Sequence, residues 1–301
     1  DLANWLCSEG NPMAARSFIN RIWALYFGNG ISQTTEDLGS QGEYPVNPPL
    51  LDFMARKFID SGWNIKATVK AMLMSKTYRL STRRSPQMIE EDPYNRFLAR
   101  QSILRLSAEF IRDSALQVSG LLNTKMGGRN IMPYQPAGYY SSMNHNPFRY
   151  RNEKDQEQYR RGVYMHWQRT FLHPFLKNFD APPRETSICS RVVSNTPLQA
   201  LTLLNDPTFV EAAKALAERI LLKAGKSNDD KLQWLFVNTL GRSINSHEKK
   251  TLMQLYTSQL KYFKENPAAA KSFLSVGNKK VSPNLAAEQV AAWTQVSRAV
   301  L

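Results

Sequence analysis

Residues 160–222 read RRGVYMHWQRTFLHPFLKNFDAPPRETSICSRVVSNTPLQALTLLNDPTFVEAAKALAERILL. An alternating aromatic run passes into an irregular, Pro-rich segment dense in ionisable side chains, and two helices follow. Thr196, Pro197 and Gln199 form a capping box. The threonine oxygen accepts a helix-start N–H, the glutamine reaches back to the cap, and proline at the first helical position sacrifices no needed donor. Asp206 and Pro207 repeat the device one short helix later. Beyond them Phe209, Ala213, Leu216 and Ile220 recur at the helical period. Irregular polar backbone clamped between regular elements is where sites tend to be built.

The same punctuation recurs on both sides. Asn11-Pro12 opens a helix with Ala15, Ile19, Ile22, Trp23 and Tyr26 on one stripe, stopped by Gly28-Asn29-Gly30. Asn20 and Arg21 lie beside that stripe, where they either line a site or tie the helix to its neighbours by hydrogen bonds. Asn47-Pro48 starts a helix carrying Leu51, Met54 and Phe58, and Asn64 starts another with Ile65, Val69, Met72 and Leu73. Their short connection predicts an antiparallel pair. Ser107 begins a helix with Ile111, Ala115, Val118 and Leu122 inward, and Glu109 suits its positive end.

Between residues 125 and 159 the periodicity fails. Gly127-Gly128, Pro133, Pro136, Gly138 and Pro147 mark turns, with Tyr134, Tyr139, Tyr140, His145, Phe148 and Tyr150 between them. Such a loop is either a ligand-stacking lid or a cover over the core. Val163, Met165 and Trp167 alternate with Tyr164, His166 and Gln168, which predicts one short strand. After the central segment, Leu232, Leu235 and Phe236 mark a helix closed by Gly241. Ser246 starts one with Leu252, Tyr256, Leu260 and Phe263, and Leu285, Ala292, Trp293, Val296 and Val300 define the last. Lys264 to Pro283 reads as an exposed, lysine-rich loop. The fold class is mainly α: a multi-helix domain with long irregular loops and at most a small β element. Its parts are a helical region 1–124, a loop-rich segment 125–195 and a helical region 196–301, together one domain.

The 301 residues are enough for a sizeable core, and 42% hydrophobic content argues against disorder. No apolar run approaches the roughly 18–20 residues that span a bilayer. The first residue is Asp, so the chain reads as a fragment or processed product. Net charge is +14, which suits an acidic polymer or nucleic acid. The cations are dispersed, however, with the densest run at Lys76, Arg79, Arg83 and Arg84. No nucleic-acid motif accompanies them, and a nucleic-acid partner is not expected. Cys7 and Cys189 are isolated, without zinc or haem spacing. No metal site is expected.

Several longer motifs resemble one family. NPMAARSFINRIWALYFGNGI, DLGSQGEYPVNPPLLD, GWNIKATVKAMLMSKTYR, LSAEFIRDSALQVSGLL, RRGVY, FDAPPRE and SNTPLQALTLLNDPTFVEAA are similar, in this order, to the planctomycete-type domain DUF1553, also called PSD1. The resemblance covers nearly the whole chain and brings no settled activity. It implies a helical domain of a secreted, periplasmic or cell-surface protein of glycan utilisation. It also implies companion domains or subunits carrying haem c and DUF1549 (PSCyt2). This sequence has no haem motif, so any haem c would lie on a separate domain and no cofactor is expected within the chain.

The central segment holds the chemistry to be weighed. Asp180 and Glu185 could act as acid and base, as paired carboxylates do in glycosidases. His173 beside a carboxylate could take a sugar hydroxyl proton ahead of electron transfer to a haem. The alternative is structural, with Asp180 paired to Arg184 and Glu185 to Arg191 to fix the Pro182-Pro183 turn. Trp167, Arg169, Arg184, Arg191, Asn20, Arg21, Tyr139 and His145 are the candidate ligand-binding side chains. The reading preferred here is a binding or scaffold module. A cytochrome-coupled carbohydrate oxidoreductase is the second reading, and a polyanion binder a remote third.

Overall fold

The computed structural model describes every residue except Glu9, residues 141–149 and Thr170. The chain divides into two compact units. One comprises Asp1–Arg105 with Ile188–Ser190, the other Leu106–Ser187 with Arg191–Leu301. The helix after Ser107 belongs to the second unit and packs on its C-terminal helices.

The N-terminal unit contains α1 (Leu2–Leu6), α2 (Pro12–Phe27), α3 (Pro48–Asp60), α4 (Ile65–Leu73) and α5 (Pro86–Glu91), of which α2, α3 and α4 build its core. Asn11, Asn47 and Asn64 each accept a helix-start N–H, as their positions before the apolar stripes predict. Ala15, Ile19, Trp23 and Phe27 of α2 bury against Leu51, Ala55 and Phe58 of α3 and Met72 of α4. Gly28 ends α2 at φ 89, a left-handed conformation that glycine adopts without a Cβ penalty.

The C-terminal unit contains α6 (Ala108–Ser119), α7 (Pro174–Asn178), α8 (Pro197–Asn205), α9 (Pro207–Lys223), α10 (Asn228–Leu240), α11 (Ser246–Glu265), α12 (Pro267–Leu274) and α13 (Ala287–Val300). Helix α9 is its axle. It packs against α13 on one side and α6 on another, and twelve of its seventeen residues are buried. Leu216 and Ile220 join Leu235, Tyr256, Val290 and Trp293 in the larger core. Phe209 and Ala212 join Phe175, Leu176, Phe179 and Ala181 in a second one. The capping box of α8 and the Asp206 cap of α9 are both formed.

Three local expectations are corrected. The predicted strand at 163–168 is a 3-10 turn, Gly162–Tyr164, followed by a single parallel bridge from Met165 to Ile131. Gly162 lies against the Glu109 backbone, where a Cβ would come within 2.9 Å of the Glu109 Cα. Its N–H donates to the Asp113 carboxylate at 2.7 Å, so no strand partner can take that donor. The presumed loop from Lys264 contains α12, restarted at Asn266-Pro267, with Ala270 and Leu274 buried. Leu122 lies beyond α6, because Gly120 turns the chain left-handed after Ser119. The fold is mainly α, and among the described residues the β content is two isolated bridges.

Candidate functional site

The central segment of the C-terminal unit is a loop pinned at both ends. At its start, Asp180 sits at φ 58, unusual for a residue with a side chain. Its carboxylate accepts the Ser194 N–H at 2.8 Å and the Ser194 hydroxyl at 2.8–2.9 Å. Gln199, inside the α8 capping box, donates to the Asn178 carbonyl at 2.9 Å and to the Ser194 hydroxyl oxygen at 3.1 Å. Asp180 is therefore a clasp that closes the loop onto the start of α8. The Asp180–Arg184 pair considered from sequence is not formed.

Arg184 does something else. Its guanidinium lies over the Trp167 ring, 3.9 Å from the centroid, in the geometry of a cation–π contact. The indole N–H donates to the Pro182 carbonyl at 3.2 Å, which holds the ring against the turn. Arg184 also has a left-handed backbone, φ 63. Both Arg184 and Glu185 are exposed, as is Arg169 two residues beyond Trp167. Arg191 turns away from Glu185 and forks onto Glu109 of α6, at 2.7 and 3.0 Å. Burial raises the Glu109 carboxyl, but the Arg191 fork and the helix-start N–H outweigh it, and its pKa lies below the ordinary carboxylate value.

His173 is buried at 4% exposure and serves as the N-cap of α7. Its Nδ1 accepts the Phe175 N–H at 3.2 Å, so the ring proton sits on Nε2, which donates to the Tyr134 carbonyl 2.7 Å away. Burial pushes its pKa down to about 4. Both ring nitrogens are spent on the backbone, leaving no lone pair to take a substrate proton in this geometry. Tyr139 and Tyr140 are pins of the same kind, their hydroxyls donating to the Leu172 and Phe171 carbonyls. His145 lies outside the described residues.

Asn20 and Arg21 belong to the N-terminal unit. The buried Asn20 amide pairs with both backbone groups of Ser32, at 2.8 and 3.0 Å, acting as a surrogate strand partner. Arg21 reaches the Cys189 sulfur at 3.2 Å. Cys7 and Cys189 are both free thiols.

The sequence reading passed over the most charged interior of the molecule. Glu211, Lys214 and Glu218 of α9 are 1%, 2% and 4% exposed. Glu211 accepts the Tyr134 hydroxyl at 2.9 Å, the Tyr159 hydroxyl at 2.8 Å and the Lys279 N–H at 2.5 Å. Burial and the Glu211 charge push both tyrosines far above the ordinary phenol value. The Lys214 ammonium donates to the carbonyls of Leu274, Val276 and Lys279, 2.5–3.1 Å away, capping the open end of α12. Glu218 pairs with Lys279 and accepts the Ser282 N–H. Positions 211, 214 and 218 share one helical face, so a charged stripe inside an otherwise apolar helix was the available signal. Nearby, the buried Arg112 and Arg160 donate to carbonyls of the 127–160 segment. Among the described residues no three His, Cys, Asp or Glu side chains converge as metal ligands, and no helix is long and apolar enough to cross a membrane.

A family model described as PSD1, protein of unknown function (DUF1553), matches residues 1–256. The chain belongs to the PSD1 family. No curated protein and no solved structure matches it. Residues beyond the matched span are integral to this PSD1 chain, since Val290, Trp293 and Val296 of α13 are fully buried with α9 in the larger core. In the PSD1 chain the central motif FDAPPRE thus supplies a structural clasp at Asp180 and an exposed guanidinium, Arg184, stacked over the half-buried Trp167 ring.

Proposed function

We propose that this PSD1 chain is a binding module that presents the Trp167–Arg184 platform to a ligand. The observation that carries the reading is the guanidinium held 3.9 Å above the indole on an exposed loop whose base is locked by Asp180 and Ser194. Preordering of this kind lowers the entropy lost on binding. The ionisable groups that burial perturbs most, His173, Tyr134 and Tyr159 among them, are occupied by the protein's own backbone or side chains, which favours recognition over proton transfer. Family resemblance supplies the wider setting: a secreted or periplasmic protein of glycan utilisation, with a glycan as ligand and haem c and DUF1549 on companion domains.

Titration of the chain with a panel of neutral, uronic and sulfated glycans, followed by calorimetry, tests the proposal. Trp167→Ala should weaken binding of any glycan that binds by about tenfold or more while the far-ultraviolet circular dichroism is unchanged. Binding that Trp167→Ala leaves intact would place the ligand elsewhere. Turnover of a panel member, abolished by Asp180→Asn with Glu185→Gln in a chain that still folds and binds, would replace the binding reading with a catalytic one.

A further inference from the structure

The ring of Trp167 is not bare. It is half-buried and packs against the core that contains Phe175, Phe179 and Ala181. Its indole N–H is spent on the Pro182 carbonyl, and the Arg184 guanidinium lies over the ring, 3.9 Å from the centroid. A ligand that arrives at the platform therefore meets the guanidinium before it meets the indole. The apolar face of a neutral sugar gains from an uncovered aromatic ring, and a planar cation standing in front of that ring offers it far less.

The donors of Arg184 are unspent. Among the described residues its side chain makes no hydrogen bond and no ion pair, and the contact it keeps is the stack on Trp167. Stacking fixes the plane of the guanidinium and leaves its N–H edge directed along that plane. This is the arrangement that grips two oxygens of one carboxylate or sulfate. The backbone is held out of its preferred region to present it. Arg184 sits at φ 63, uncommon for a residue with a Cβ. Pro182 and Pro183, each with a fixed φ, lead into it, and the Asp180–Ser194 clasp closes the base of the turn. Strain of this kind collects at ligand sites, and here no internal hydrogen bond of the guanidinium offsets it.

The charges of the segment point the same way, with one group opposed. Between Trp167 and Arg191, Asp180 and Arg191 are met by Ser194 and Glu109. Arg169, Lys177 and Arg184 then stand against Glu185 alone, all four exposed. Glu185 works against an anion at its neighbour, and its removal is part of the test.

We propose that the group recognised at this platform is an oxyanion, the carboxylate or sulfate ester of an acidic glycan, gripped by the N–H edge of Arg184. Trp167 acts from behind, orienting the guanidinium rather than stacking on the sugar. The inference rests on the platform reading given above and narrows it to charged ligands.

Calorimetry of the full chain at about 0.1 M salt, where long-range attraction is screened, tests this with four probes. They are an oligogalacturonate, its methyl ester, a sulfated galactan oligomer and its desulfated form. The charged member of at least one pair should bind about tenfold or more tightly than its neutral counterpart, and the pair that responds tells carboxylate from sulfate. Arg184→Gln should weaken that binding by about tenfold. Arg184→Lys keeps the charge without the planar fork and should lose most of the same factor. Lys250→Gln removes an equal charge from α11 and should change nothing. Glu185→Gln should tighten the charged probe by about two- to fivefold. Circular dichroism verifies that each variant folds. A neutral form that binds as tightly as its charged partner, and is lost in Trp167→Ala, keeps the platform and overturns the oxyanion. Weakening that is equal in Arg184→Gln and Lys250→Gln overturns it too, since attraction to the whole basic chain then accounts for the binding. Binding by none of the probes, or binding that both Trp167→Ala and Arg184→Gln leave intact, overturns the inference together with the platform.

Discussion

Helix α9 and the loop at residues 179–196 are both rich in ionisable side chains, and they use them in opposite ways. In α9, Glu211, Lys214 and Glu218 are buried, and their polar atoms are matched to donors and acceptors of the protein itself. In the loop, Asp180 and Arg191 are spent on partners within the protein, while Arg184 and Glu185 face solvent. The difference lies in what surrounds a charge. A buried charge must be fully paired to be tolerated, so the region of greatest electrostatic perturbation is the one with the least freedom to act on a ligand. The exposed loop keeps Arg184 and Glu185 available.

The contrast predicts a graded series of effects. Glu211→Leu would leave the Tyr134 and Tyr159 hydroxyls and the Lys279 N–H facing an apolar side chain, and should cost about 3–5 kcal/mol in chemical denaturation. If it costs less than about 1 kcal/mol, comparable to a surface change, α9 is not the locked interior described here. His173 gives the next largest effect, through pH. Its folded pKa is about 4 against about 6.5 for an unfolded histidine, so the unfolded chain binds the extra proton between those values. That contribution is intact above the unfolded pKa and is lost as pH falls from about 6.5 to about 4, a change of about 3 kcal/mol. His173→Gln should flatten the stability profile in that window without altering the pH dependence of ligand binding. Gly277 sits at φ 82 with Glu211 where its Cβ would be. Gly277→Ala should therefore cost about 2 kcal/mol, read as a lowered melting temperature. At the small end, Glu185→Gln should change stability by no more than about 0.5 kcal/mol. A larger loss there would mean the loop is a structural element like α9.

Local signals were legible from sequence because their causes are local. Asn11, Asn47, Asn64, Thr196 and Asp206 each cap a helix within three residues of themselves, and the apolar stripes of α2, α3 and α9 fall on buried faces. Partnerships across long separations were not legible. Arg191 pairs with Glu109, 82 positions away, rather than with neighbouring Glu185, and Lys214 finds its carbonyls 60 to 65 positions downstream. The strand predicted at 163–168 failed for a related reason: alternation records which side chains are apolar, not whether Gly162 is pressed against another helix. Of the candidate site, Trp167 and Arg184 come together, whereas Asp180, His173, Asn20 and Tyr139 are engaged in holding backbone.

The strap over α9 also has a consequence for how the protein is made. Synthesis delivers Glu211, Lys214 and Glu218 well before the backbone of residues 274–282 that satisfies them. Until that segment leaves the ribosome, α9 cannot be buried without orphaning the charges of Lys214 and Glu218. The C-terminal unit is thereby obliged to fold late, after nearly all of it has been translated. A recombinant fragment ending at residue 256, where family similarity stops, would lack both the strap and α13. It should be degraded in the cell rather than accumulate as a smaller working domain.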